Sequence, residues 1–231
     1  MSDMKVVVST DKLRKEFKKL VAVDDVNLQL ESGDVFGLVG PNGSGKTTLI
    51  RMLATAIKPT SGTALIFGQD ISHKPQKVRS LIGYLPYSYT PYYDLAVREY
   101  MDFFAGAYKI PKSERQGIIN DILELTDLAS NASRYIKDLP DGMTQRLGIA
   151  RVLIHDPELL LLDEPLCGLD PKARIEVMEI IKELGNMGKT VILSSGIISD
   201  MLSMCNKIGV MKDGKLIISG DADDIDISDY L

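Results

Sequence analysis

The 231-residue chain is 45% hydrophobic and carries a formal net charge of −5. That suits one sizeable domain, or two lobes around a shared core, and argues against sequence-independent nucleic-acid binding, which needs Lys and Arg to neutralise phosphates. Two cysteines, Cys167 and Cys205, make neither a disulfide framework nor a metal set. No window approaches the roughly 18 apolar residues of a membrane span. Met1-Ser2-Asp3-Met4-Lys5 carries no signal-peptide pattern, so the chain reads as cytosolic.

Along the chain, the basic run Lys12, Arg14, Lys15, Lys18 and Lys19 reads as the solvated face of a strand or hairpin. Val26, Leu28 and Leu30 alternate with Asn27, Gln29 and Glu31, the period of a half-buried, antiparallel strand. After a turn at Gly33-Asp34, Val35 to Val39 is a short apolar run suited to a buried strand. Residues 45–55 predict a helix, ended by Lys58-Pro59-Thr60-Ser61-Gly62, and Ala64 to Phe67 and Ser80 to Leu85 predict strands. Residues 95–155 change to helical patterns. Ser113-Glu114-Arg115-Gln116 predicts a capping box, with Ile119, Ile122 and Leu123 on one face of the helix it opens. Strand–helix alternation resumes near 157. Leu159 to Leu162 and Thr190 to Leu193 predict buried strands, and Pro171 marks a helix start. Asp213-Gly214 predicts a closing hairpin. The acidic tail, Asp221 to Leu231, is expected to fray.

Two segments carry chemistry. Gly40-Pro41-Asn42-Gly43-Ser44-Gly45-Lys46-Thr47 fits G-x-x-x-x-G-K-[ST] between an apolar strand and a helix. Glycines let the backbone fold so that N–H groups point at a β-phosphate. Lys46 supplies positive charge to the β- and γ-phosphates, Thr47 offers a hydroxyl to Mg²⁺, and the helix N-terminus adds its dipole. The ligand expected is ATP with Mg²⁺. The second segment, Leu159 to Leu162 followed by Asp163-Glu164-Pro165, puts two carboxylates at the carboxyl end of a buried strand, where open parallel sheets bind ligands. Asp163 is expected to hold Mg²⁺, and Glu164 to orient or deprotonate an attacking water.

With these segments the chain resembles the ATP-binding subunits of ABC transporters over nearly its full length. Phe17 lies where that family places an aromatic that stacks on adenine, and Gly40 to Thr48 at its Walker A loop. Leu159 to Glu164 lies at its Walker B strand, Leu139-Pro140-Asp141-Gly142-Met143 at its signature segment, and Gly168-Leu169-Asp170-Pro171 at its dimer-contacting loop. The subgroup looks like the drug- and export-type ATPases. The resemblance implies an α/β fold: a RecA-like P-loop core with an antiparallel edge (1–86 and 157–231) and a helical subdomain (about 87–156). It implies nucleotide contacts from Phe17, Gly40, Pro41, Asn42, Gly43, Ser44, Gly45, Lys46, Thr47 and Thr48, metal ligation by Thr47 and Asp163, and catalysis by Glu164 and Lys46. It also implies a head-to-tail dimer, identical or mixed, docked on a membrane-spanning subunit at the inner face of the cell membrane.

Three positions depart from the family. The signature serine, expected to donate to the γ-phosphate across the dimer, is replaced by Pro140, and Asp141 adds negative charge beside it. The histidine normally found after two serines is Gly196 in Ser194-Ser195-Gly196, and the glutamine or glutamate after Leu85-Pro86 is Tyr87. The expectation is an ATPase that binds well and turns over weakly. The alternatives are a nucleotide-sensing module that dimerises with little hydrolysis, or a soluble ABC-type ATPase outside transport. Tyr84, Tyr87, Tyr89, Tyr92 and Tyr93 crowd one segment, to be read as a docking surface or as packing.

Overall fold

The computed structural model describes residues 5–225. They divide into two compact units: residues 5–87, 158–165 and 181–225, and residues 88–157 and 166–180.

The first unit is built on two sheets. Strands β1 (Val6–Phe17), β2 (Leu20–Glu31), β4 (Ser61–Ile66) and β5 (Gln69–Asp70) form an antiparallel sheet in the order β2-β1-β4-β5. On β2, Val26, Leu28 and Leu30 are buried while Asn27 and Gln29 are exposed, as the alternation predicts. The other sheet comprises β3 (Val35–Val39), β6 (Ile82–Leu85), β7 (Leu159–Leu162), β8 (Thr190–Ser195), β9 (Lys207–Lys212) and β10 (Lys215–Asp221), in the order β10-β9-β3-β8-β7-β6. All its pairings are parallel except β9–β10. Every residue of β3, β7 and β8 is buried, which is why these strands appear in sequence as unbroken apolar runs. Helix α1 (Lys46–Leu53) sinks Leu49, Ile50, Met52 and Leu53 into the core shared with Phe36, Leu38, Leu159, Leu161 and Ile192. Each such side chain contributes about 1.5–3 kcal/mol by leaving water. The β9–β10 turn has Asp213 at φ 49° and Gly214 at φ 81°, the paired positive angles of a type I′ hairpin.

Three elements of this unit were not expected: the two-residue strand β5 and helices α2 and α7. Ser80 and Leu81 belong to helix α2 (Pro75–Leu81), not to a strand; β6 is only the four residues that pair with β7. Pro75 in the first turn supplies a preset φ, the start signal overlooked in the sequence. Helix α7 (Ile198–Met204) follows β8 and buries Met201 and Met204.

The second unit contains helices α3 (Val97–Ala107), α4 (Lys112–Leu125) and α5 (Asp141–Leu153), together with the first part of α6 (Pro171–Asn186). Ile119, Ile122 and Leu123 of α4 are buried. The capping box expected at Ser113 is absent: α4 begins at Lys112 with Pro111 as N-cap, and no side chain caps it. Pro111 already presets the entry angle, so Ser113 falls inside the first turn. The reciprocal glutamate of such a box occurs instead on α3, where Glu99 Oε2 accepts the Ala96 N–H at 2.9 Å.

Candidate functional site

Register brings the predicted acids and the loop together. Val39 pairs with Ser195, and Leu162 with Leu193, so Gly40 and Asp163, which follow β3 and β7, and Ser194, the penultimate residue of β8, meet at the carboxyl ends of three adjacent parallel strands. The loop is walled by backbone. A Cβ on Gly40 (φ 152°) would stand 2.2 Å from the Met211 carbonyl oxygen, and one on Gly45 (φ 106°) 2.3 Å from that of Ala22. Only glycine fits either position, on sterics and on φ alike. The Gly214 N–H donates to the Ser44 carbonyl at 3.1 Å, and the Asp24 N–H to the Gly214 carbonyl at 2.8 Å. The last hairpin therefore ties the loop to β2.

Lys46 is 5% exposed. Its Nζ donates to the carbonyls of Gly40 (2.7 Å) and Pro41 (3.2 Å), and lies 3.5 Å from Glu164 Oε1. The Thr47 hydroxyl donates to Asp163 Oδ1 at 2.9 Å, and the Ser194 hydroxyl donates to the same oxygen at 2.9 Å. Ser194 Oγ in turn accepts the Glu164 N–H at 2.9 Å. Glu164 sits at φ 51°, a left-handed conformation that costs an L-residue about 1–2 kcal/mol. The Ser194 bond helps hold it there, with its carboxylate toward Lys46. Ser194 is the member that sequence reasoning missed; a serine closing a buried strand gives no motif of its own.

The residues present fit a magnesium–triphosphate group. Asp163 is buried, and its Oδ2 has no hydrogen bond among the described residues; nor has the buried Ser44 hydroxyl. An orphaned buried carboxylate oxygen is costly unless it faces a water or cation. Thr47 and Asp163 are hard oxygen donors of the kind that hold Mg²⁺ with phosphate oxygens and waters completing the shell. Among the described residues no group of three His, Cys, Asp or Glu side chains could hold a metal. The α1 N-terminus adds unbonded N–H groups and the positive end of its dipole. Burial, then the negative charge of Asp163, raises the Tyr84 phenol above its ordinary range.

Pro41, Asn42 and Gly43 are exposed on the loop, and Thr48 is half-buried in the first turn of α1. Phe17 is 45% exposed at the β1–β2 tip. In the second unit, Pro140 is the N-cap of α5 and Asp141 lies in its first turn; both are exposed. A proline there offers no N–H, and the carboxylate places this helix's own anion at its positive end. The start of α5 is held firmly. A Cβ on Gly142 would stand 2.5 Å from that of Ala173. Arg146, 3% exposed, reaches Asp127 Oδ2 at 2.6 Å and Glu176 Oε2 at 3.6 Å. In the first unit Gly196 is exposed, and a Cβ there would meet nothing within 4 Å. Tyr87 is 61% exposed. Tyr89 is a packing residue, its hydroxyl donating to that of Tyr100 at 2.9 Å with the Arg151 guanidinium 5.0 Å from its ring. Tyr92 packs edge-on to Phe103 yet stays exposed.

A glycine loop between a buried parallel strand and a helix, with two acids at the carboxyl end of the next strand but one, defines a P-loop nucleotide-binding protein. The chain belongs to the ABC transporter family: the profile described as ABC transporter matches residues 23–167, and the chain is an ABC-type, ATP-hydrolysing cassette. It is 37% identical to an uncharacterized ABC transporter ATP-binding protein of Nostoc, over 95% of this chain and 68% of that one. It is 37% identical to a probable multidrug ABC transporter ATP-binding protein of Escherichia coli, over 95% of this chain but 38% of the relative. A linearmycin resistance ATP-binding protein of Bacillus subtilis is 31% identical over 95% and 70%. Among solved structures it is similar to cbiO1 of Clostridium perfringens, described as part of the ABC transporter complex cbiONQ (TM-score 0.87, 28% identity, 94% of this chain and 89% of that one). It is also similar to a dimeric ATP-binding cassette in a post-hydrolysis state bound to ADP and Pi (TM-score 0.83, 26% identity, 93% and 98%).

Proposed function

We propose that this chain binds Mg²⁺–ATP and hydrolyses it slowly, energising a separate membrane-spanning subunit at the cytoplasmic face of a membrane. One observation carries the reading: the linked set Thr47, Asp163, Ser194 and Glu164, closed by the 3.5 Å approach of Lys46 to Glu164.

In this reading the loop from Gly40 to Thr48 cradles the phosphates, and Phe17 stacks on the adenine. Lys46 exchanges its backbone carbonyls for β- and γ-phosphate oxygens. Thr47 and Asp163 hold Mg²⁺, which neutralises charge on the phosphates when bound. Glu164 accepts a proton from the attacking water, and Ser194 keeps its backbone in place. Two subunits close head to tail, the α5 N-terminus of each facing the nucleotide of the other. The similar cassette solved as a dimer with ADP and Pi supports such pairing. Exposed Tyr87, Tyr92 and Tyr93 are the tyrosines left for a membrane subunit, since Tyr89 is packed.

Slow turnover follows from Pro140, Asp141, Gly196 and Tyr87. At 4 Å and an effective dielectric of 20, a carboxylate repels a unit negative charge by about 4 kcal/mol. A transition state deprived of a stabilising hydrogen bond forms more slowly, so kcat falls and not only affinity. The second reading, a nucleotide-sensing module, rests on the same exposed Asp141 and Gly196. Turnover by the purified chain, with and without its membrane subunit, decides. Slow hydrolysis abolished by Glu164→Gln is expected; fast Mg²⁺-dependent hydrolysis by this chain alone overturns the slow-turnover reading. Binding and dimerisation with only trace hydrolysis under every pairing selects the sensor.

A further inference from the structure

At the β1–β2 hairpin tip, Phe17 is 45% exposed and its cross-strand partner Leu20 66% exposed, so little apolar packing keeps the ring still. Lys15 supplies the hold. Its Nζ donates to the Lys58 carbonyl at 2.7 Å and lies 5.0 Å from the centre of the Phe17 ring. The receiving loop is itself pinned. The Thr60 N–H donates to the Arg14 carbonyl at 2.8 Å, and the Glu16 N–H to Thr60 Oγ1 at 3.0 Å. Lys12, Lys18 and Lys19 are exposed, whereas Lys15 is half-buried. Arg14, also half-buried, pairs with the carboxylates of Asp24 and Glu16, so Lys15 is the lysine of the run that is more than a solvated charge.

The hairpin also reaches the phosphate loop. The Ala22 carbonyl walls Gly45, and Ala22 is two residues from Leu20, about 7 Å along an extended strand. An ammonium on one face of an aromatic ring leaves the opposite face for a flat ligand. It also draws π density toward itself, so the free face repels an electron-rich purine less. We propose that Lys15 is a positioning residue for nucleotide, fixing and polarising Phe17 so that its free face receives the base. This rests on the stacking role given to Phe17 above.

The test uses the full chain and two probes, Mg²⁺–ATP and Mg²⁺–tripolyphosphate, which has no base. Phe17→Ala should weaken ATP and leave tripolyphosphate unchanged; if ATP affinity is unaffected, the stacking reading falls and this inference with it. Lys15→Met should weaken ATP roughly two- to fivefold, raise KM without changing kcat, and leave tripolyphosphate binding intact. Lys15→Arg should restore ATP affinity. In the Phe17→Ala background Lys15→Met should have no further effect. An equal loss for tripolyphosphate would mean that Lys15 acts as a plain charge on phosphates. An additive double variant would mean that it does not act through Phe17. Either result overturns the proposal, as does an unchanged ATP affinity in Lys15→Met when Phe17→Ala lowers it.

Discussion

Lys46, Thr47, Asp163, Glu164 and Ser194 are buried or half-buried, and each is tied to another by a hydrogen bond or ion pair of 2.9–3.5 Å. The start of α5 has a different character: its scaffold is firm, with Arg146 and Gly142 locked in place, yet the two residues it presents, Pro140 and Asp141, are exposed and poorly suited to an anion. Gly196 likewise ends a fully buried strand and offers only an empty position. On the proposed function, the contrast separates holding a triphosphate from sensing its last phosphate. A fold can keep the first in full while the second is altered at a few surface positions that nothing in the packing constrains.

The sharpest way to break that contrast is Glu164→Gln, expected to cut turnover by at least about a hundredfold with ATP affinity retained; a matched loss of binding in calorimetry would show that the acid helps hold nucleotide. Gly40→Ala should abolish measurable ATP binding and destabilise the chain by about 1–3 kcal/mol, since its Cβ meets the Met211 backbone; unchanged binding would mean that the loop is not walled as described. In the other direction, Gly196→His should raise kcat about tenfold without lowering the melting temperature, because its Cβ enters open space. Pro140→Ser with Asp141→Gly should raise turnover severalfold in the paired form. The serine, at an N-cap with φ −60° and ψ 157°, should also offset part of the stability lost with Asp141 from the first turn. No gain from either restoration would place the limit at Tyr87 or outside the chain. The smallest effect lies in the second unit. Burial, with the neighbouring Tyr100, holds the Tyr89 phenol neutral far above its ordinary range, and burial raises Tyr100 and Tyr108 as well. The unfolded chain ionises these groups near pH 10, so stability is complete below that pH and falls as pH rises through it. Urea denaturation at pH 9 and 10.5 should show this, with a shallower fall in Tyr89→Phe.

The sheet and the phosphate loop were legible because burial on both faces forces unbroken apolar runs, and because the loop's glycines stand where backbone from β2 and β9 closes in. The antiparallel hairpins announced themselves through alternation at Val26 to Leu30 and through Asp213-Gly214. Helices α2 and α7 were not legible. Each is seven residues long and too short for a clear period, and α2 runs straight into β6. The cap of α4 misled because a serine and a glutamine three apart satisfy the pattern anywhere in a polar helix, and Pro111 decided the start. Ser194 could not be picked out, since its role comes from lying between two strands that are distant in sequence. Lys15 hid inside a run of basic residues, and only the positions of the Lys58 carbonyl and the Phe17 ring set it apart.

The wall behind Gly40 has a consequence for synthesis. Met211 and Gly214, which enclose the phosphate loop, lie some 170 residues after it in the chain. On the ribosome the loop emerges early but has no back until β9 and its turn follow. A nascent chain halted at residue 205 should therefore fail to retain ATP, whereas one extended through β10 should retain it. Nucleotide capture would then report that the sheet has closed, and an unfinished cassette could not claim ATP while it is still being made.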